Sequence, residues 1–301
     1  GTGEEHAEAI RMIREVADRE DRAIAILQDL QGPRIRTGTL AAGDSVNLLP
    51  GQQFTLTTAP LPGGGNIERV SVSYSGLPAD LEPNNRILIA DGALELRVME
   101  TTDTDVRTVV VRGGSLGERK GINVPGVDLK VTSPTEKDRA DLNLGISLGV
   151  DYVAISFVKD ASDIEEMRRA IERSGGQDIP IVAKLERAEA IVNLEGILTA
   201  ADAVMVARGD LGVEIGPEKV PMLQKVILQS ANEHGIPGIT ATQMLESMVG
   251  SLQPTRAEAS DVANAVLDGS DALMLSAETT IGRYPAEVVH TMDRIAREVE
   301  A

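Results

Sequence analysis

The sequence predicts an α/β chain whose strands and helices alternate around a parallel sheet, with a small all-β segment inserted after the first βα unit. Three observations carry this. Short apolar runs at residues 152–158, 181–185, 203–207, 238–241 and 272–275 alternate with segments of helical period. Each run is apolar almost throughout, as in strands covered on both faces. Residues 38–131 instead show period-two patterning broken by turn residues, with no long helical period.

The opening segment predicts a helix, since Ala7, Ile10, Ile13 and Val16 recur at helical spacing. A strand over Ala23 to Leu27 and the turn Asp29-Leu30-Gln31-Gly32-Pro33 follow. Within the insert Phe54 and Leu56 alternate, as do Val70 and Val72, then Leu94, Leu96 and Val98. Gly43-Asp44, Pro62-Gly63-Gly64-Gly65 and Gly113-Gly114 mark turns between them. Ser133-Pro134-Thr135-Glu136 then reads as a capping box with proline at the first helical position. Ser162-Asp163-Ile164-Glu165 and Thr255-Arg256-Ala257-Glu258 repeat that start signal. The last helix carries Val288, Val289, Met292, Ile295, Ala296 and Val299 on one expected buried face. With Ala23 to Leu27 the reading gives six βα units. Residues 1–37 and 132–301 form the sheet-and-helix domain and 38–131 the insert.

Composition limits the chemistry. Hydrophobic residues make up 42% of the 301, with two Phe, three Tyr and no Trp, so the core is aliphatic. The absence of cysteine excludes disulfides, thiolate nucleophiles and Cys-based metal sites, and suits a reducing cytoplasm. Three histidines argue against a His-rich zinc site. A net charge of -18 argues against nucleic acid or an anionic membrane as partner. No apolar run approaches the ~20 residues that span a bilayer, and no signal-peptide pattern opens the chain. The start, Gly1-Thr2-Gly3 without Met, reads as cut from something longer.

The chemistry-bearing residues sit where strands finish. Lys184 and Glu186 are two apart and so share a strand face. The next run leads into Arg208-Gly209-Asp210, the following one into Thr240-Ala241-Thr242, and the last into Ser276-Ala277-Glu278. In a parallel α/β barrel that end is the active face. Glu186 and Asp210, from neighbouring strands, suit one hard divalent cation, Mg²⁺ or Mn²⁺. Lys184 beside it would stabilise a transferring phosphoryl group or a developing enolate. Backbone N–H groups around Gly209 could hold a small carboxylate or phosphate.

Ile181-Val182-Ala183-Lys184-Leu185-Glu186-Arg187 resembles the pyruvate kinase signature around its catalytic lysine and first metal-binding glutamate. Val206-Ala207-Arg208-Gly209-Asp210-Leu211-Gly212 is similar to the segment carrying the second metal carboxylate. Residues 241–248, 254–258, 29–33 and 121–126 are also close to that family. The resemblance implies a TIM-type (β/α)8 barrel, incomplete here with six of its eight strands, and a β-rich lid domain. It implies phosphoryl transfer from phosphoenolpyruvate to ADP, in the cytoplasm, giving pyruvate and ATP. Lys184 would stabilise the phosphoryl group and enolate, and Glu186 and Asp210 would hold Mg²⁺. Gly209 and Asp210 amides, with Arg208 and Thr242, would fix the substrate. Thr242, backed by Ser276 and Glu278, would lie near the proton path. Arg36 would meet phosphates, and Lys120, Asp91 and His6 the nucleotide. A homo-oligomer is compatible with the family.

The chain also departs from the pattern. Two opening strands with a phosphate-binding arginine, and the family's C-terminal domain, are expected outside these residues. Asp29 stands at one monovalent-cation position. Leu30 replaces the usual Thr, and Arg34 stands where potassium-dependent members have Glu, so K⁺ dependence is not expected. Two other readings compete: a Mg-dependent pyruvate-enolate aldolase or lyase, which would lack the insert, and an inactive homologue needing a partner.

Overall fold

The computed structural model describes residues 2–41, 43, 45–131 and 133–301, and the chain divides into two compact units. Of the turn expected at Gly43-Asp44, Asp44 lies outside the described residues. The first unit comprises residues up to Gly32, Ser133–Leu211 and Glu218–Ala301, and the second Pro33–Thr132 with Gly212–Pro217.

The first unit is built on a six-stranded sheet of β1 (Leu27–Leu30), β2 (Tyr152–Ile155), β3 (Ile181–Leu185), β4 (Ala203–Ala207), β5 (Gly238–Ala241) and β6 (Ala272–Met274), in that order. All neighbours are parallel. Helix α1 (Gly3–Arg19) precedes β1, and helices lie between the strands: α2 (Glu136–Ser147), α3 (Ala161–Arg173), α4 (Leu194–Ala200), α5 (Arg208–Ile215, whose residues from Gly212 on fall in the second unit), α6 (Val220–His234) and α7 (Arg256–Leu267), with α8 (Pro285–Glu300) after β6. This is the (β/α)-barrel order, with β1 and β6 as edge strands. Among the described residues no helix is long and apolar enough to cross a membrane.

One sheet face is small and apolar: Ala154, Val182, Ala203, Met205 and Ala241 are buried there, with Leu27, Ile239 and Met274 against them. Because side chains alternate along a strand, this face continues two residues on into Asp29, Ser156 and Lys184. The other face takes helices, α3 on β3 and α6 on β4 and β5. Ile164, Met167, Ile227 and Leu228 are buried on those helices.

Several local expectations shift. The first strand is Leu27–Leu30, not Ala23 to Leu27, because its pairing begins at Leu27 opposite Tyr152. The box before α2 is Thr135 with Asp138, two residues later than expected, and Pro134 precedes it. Helix α3 is capped by Asp160 rather than Ser162. Thr255 and Glu258 do form the capping box of α7. On α8, Val288 and Met292 are buried with Ile295 against them, while Val289 is exposed. Helix α1 leaves Ile13 and Val16 exposed and buries Ala17.

The second unit holds a seven-stranded sheet, ordered Ile35–Arg36, Gly121–Asn123, Arg86–Ile89, Leu94–Thr101, Asp105–Arg112, Gln53–Thr57 and Arg69–Ser71. Its neighbours are antiparallel except the last pair. Phe54, Leu56, Ile87, Leu96 and Val106 centre its own core. The boundary falls at Gly32/Pro33 rather than at residue 37, because Ile35–Arg36 pairs with Gly121–Ile122 and Ile35 joins this core.

Candidate active site

The register brings the strand ends level. Leu30 pairs with Ile155, Ile155 with Ala183, Leu185 with Val206, and Ala207 with Ala241. The residues that follow therefore open together at the carboxyl edge of the sheet.

Lys184 is the hub of that edge. Its Nζ lies 3.0 Å from Glu186 Oε1 and 3.2 Å from Asp29 Oδ1. It also donates to Ser156 Oγ at 2.8 Å, and that hydroxyl donates in turn to the Leu30 carbonyl at 2.9 Å. Three strands thus fix one ammonium. Burial pulls the ammonium's pKa down, but Glu186 and Asp29 outweigh it and hold Lys184 above its ordinary value.

Glu186 is only 2% exposed. Its Oε2 accepts the Phe157 N–H at 2.7 Å, which Phe157 presents from a left-handed φ of 60°. Burial pushes the carboxyl up to about 7; the Lys184 charge opposes this, and the charge of Asp210 adds to it. Two carboxylates repelling each other at a buried edge form a donor set that a hard divalent cation fits. Among the described residues no cluster of three or more His, Asp or Glu forms a closed cage. The two oxygens would leave most coordination positions to water and substrate, as Mg²⁺ and Mn²⁺ accept.

Arg208, Gly209 and Asp210 occupy the first turn of α5, directly after β4. The Gly209 N–H donates to Thr242 Oγ1 at 3.0 Å. Thr242 and Gln243 both have positive φ, 69° and 53°. Arg208, expected to bind substrate, instead turns its guanidinium onto the Thr242 carbonyl at 2.7 Å and Asp261 at 2.8 Å.

Glu278 is fully buried and also differs from expectation. Its Oε1 accepts the Leu245 N–H at 3.2 Å and its Oε2 the Ser276 N–H at 2.8 Å. It braces backbone at the end of β6 rather than presenting a free carboxylate.

The remaining expected residues lie elsewhere. Arg36, Lys120 and Asp91 gather at one end of the second unit's sheet. Arg36 pairs with Gly121 beside Lys120, and the Ala90 amide donates to the Gly121 carbonyl. Arg36 also donates to the Arg119 carbonyl at 3.1 Å, and Asp91 lies 3.7 Å from Arg34. Arg36 falls within the expected sheet-and-helix domain of residues 1–37, but its strand pairing places it in the second unit. His6 is exposed on α1 in the first unit.

Ser156 and Asp261 are not among the residues expected from the sequence. Ser156 had a signal, as the first polar residue after an apolar run and level with Lys184. Asp261 had none: it is an acid in the middle of α7, distant in sequence from every strand end.

These features define a (β/α)-barrel protein with a lysine–carboxylate centre at the carboxyl ends of its parallel strands. The chain belongs to the pyruvate kinase family: the family model described as "Pyruvate kinase, barrel domain" matches residues 1–289. It is 49% identical to pyruvate kinase 2 of Synechocystis over 98% of this chain and 50% of that protein. It is 46% identical to the pyruvate kinase of Geobacillus stearothermophilus over 100% of this chain and 51% of that protein. The pyruvate kinase of Mycobacterium tuberculosis is 46% identical over 100% of this chain and 63% of its own length. The chain thus spans about half to under two thirds of the relatives it matches.

Proposed function

We propose that this chain carries the catalytic centre for phosphoryl transfer from phosphoenolpyruvate to ADP, giving pyruvate and ATP in the cytoplasm. The observation that carries the reading is Lys184, held between Glu186 and Asp29 at the strand ends. In the reaction the enol-ester P–O bond breaks, a β-phosphate oxygen of ADP bonds to phosphorus, and the enolate left behind takes a proton at carbon.

Lys184, kept charged, faces the phosphoryl group and the oxygen that becomes the enolate. Glu186 and Asp210 would hold Mg²⁺ or Mn²⁺, which when bound neutralises charge on the phosphoryl and enolate oxygens. The Asp210 amide and the Thr242 hydroxyl fix the substrate carboxylate; the Gly209 amide, expected there too, donates to Thr242 Oγ1 and holds that hydroxyl in place. Thr242 stands on the proton path, whether its hydroxyl or a water it holds is the donor. Ser276 and Glu278 brace that path from β6. Arg36 would meet phosphates, and Lys120, Asp91 and His6 the nucleotide. Asp29, occupied by Lys184, and Arg34 support activity without K⁺.

A coupled assay of ADP-dependent pyruvate formation, with and without Mg²⁺, tests the reading. Cation-dependent pyruvate release supports it. Release of pyruvate only from a longer 4-hydroxy-2-oxo acid would overturn it in favour of an aldolase.

A further inference from the structure

Thr242 sits on a turn that its own residues do not favour. Thr242 and Gln243 both occupy the left-handed region, and neither is glycine, so the turn persists only because its surroundings hold it.

The holder is visible. Arg208 Nη2 donates to the Thr242 carbonyl at 2.7 Å and the Gln243 carbonyl at 3.3 Å. Its Nε lies 3.3 Å from both the Ala241 and Thr242 carbonyls. Its Nη1 donates to Asp261 Oδ1 at 2.8 Å and to Gln224 Oε1 at 3.4 Å, and Gln224 is only 4% exposed. A planar guanidinium can meet successive carbonyls and a carboxylate at once; an ammonium cannot. Arg208 belongs to the same turn of α5 as Gly209, whose amide reaches Thr242 Oγ1 at 3.0 Å. The turn is thus held twice from one helix start, through its carbonyls and through its hydroxyl.

We infer that Arg208, seated by Asp261, is a positioning residue: it clamps residues 241–243 and so sets where the Thr242 hydroxyl stands during the reaction. The inference rests on the phosphoryl-transfer reading for its consequence, but the clamp itself is a property of the folded chain.

The test uses Arg208→Lys and Asp261→Asn, each compared with the unaltered chain by amide hydrogen exchange over residues 242–244 and by kcat and KM for phosphoenolpyruvate. In Arg208→Lys, exchange should rise and kcat fall, each by roughly tenfold to a hundredfold, with KM within about threefold. Asp261→Asn should move both in the same direction by less. In a Thr242→Ala background Arg208→Lys should cost no more than about twofold in kcat, because the group it positions is gone. Unchanged exchange over 242–244, or an undiminished kcat loss in the Thr242→Ala background, overturns the inference. So does failure of both single variants to fold, which would make Arg208 a stability residue. If the unaltered chain forms no pyruvate, the phosphoryl-transfer reading fails while the exchange comparison still decides the clamp.

Discussion

Thr242 Oγ1 accepts the Gly209 N–H at 3.0 Å, so the end of β5 is tied to the first turn of the helix that follows β4. Two groups expected to touch one substrate are thereby locked to each other before any substrate arrives. Preorganisation of this kind removes reorganisation from the reaction step.

Thr242→Ala tests that relationship. Loss of the hydroxyl should lower kcat by roughly a hundredfold, the scale of a lost proton-transfer group. Thr242→Ser should recover most of it, since Ser can still meet the Gly209 amide. Steady-state kinetics of the two variants check this; a Ser variant as impaired as Ala would contradict it.

Stability should fall as pH rises across the range set by Glu186. Its carboxyl is pushed from 4.5 to about 7, burial being the main cause. The native state therefore binds the proton more tightly than the unfolded chain does. Between about pH 4.5 and pH 7 rising pH removes stability, by a few kcal/mol in all. Denaturant melts in chelator should show this loss, and Glu186→Gln should flatten it. Mg²⁺ should restore stability above about pH 7, where its binding no longer displaces a proton. A pH slope unchanged in Glu186→Gln would contradict the account.

Much of this arrangement is legible in the sequence. Ile181–Leu185, Ala203–Ala207 and Gly238–Ala241 appear in the structure with the expected bounds, because a strand covered on both faces must be apolar along its length. The same rule misplaces β1. Gln28 and Asp29 are polar within that strand, so the apolar pattern points earlier, to residues whose side chains are mostly exposed. Helix starts at Thr135 and Asp160 slipped by a few residues because Ser, Thr and Asp cluster there and only geometry selects the cap. Lys184, Glu186, Asp210 and Thr242 could be singled out from strand ends alone. The clamp of Arg208 by Asp261 could not, since it joins segments far apart in sequence.

Glu278 accepts two backbone amides, so its loss acts on stability. Removing its carboxylate in Glu278→Ala would leave the buried Leu245 amide and the half-buried Ser276 amide without acceptors, at about 2–4 kcal/mol. Thermal melts should show a large drop for Ala and a smaller one for Gln, which keeps one acceptor. Equal melting temperatures for Ala and the unaltered chain would contradict this.

Arg34 lies 3.7 Å from Asp91 and brings a fixed positive charge. Activity should accordingly differ by less than about twofold between K⁺ and Na⁺ buffers, since the guanidinium supplies positive charge directly. Strong activation by K⁺ alone would overturn this part of the reading.

The most direct test of the central claim is the rate of ADP-dependent pyruvate formation by Lys184→Met. Met keeps the length of the side chain and removes the charge shared by Glu186 and Asp29. The account predicts a loss of roughly a thousandfold or more, the scale of a lost charge at a transferring phosphoryl group. Activity equal to the unaltered chain would contradict it.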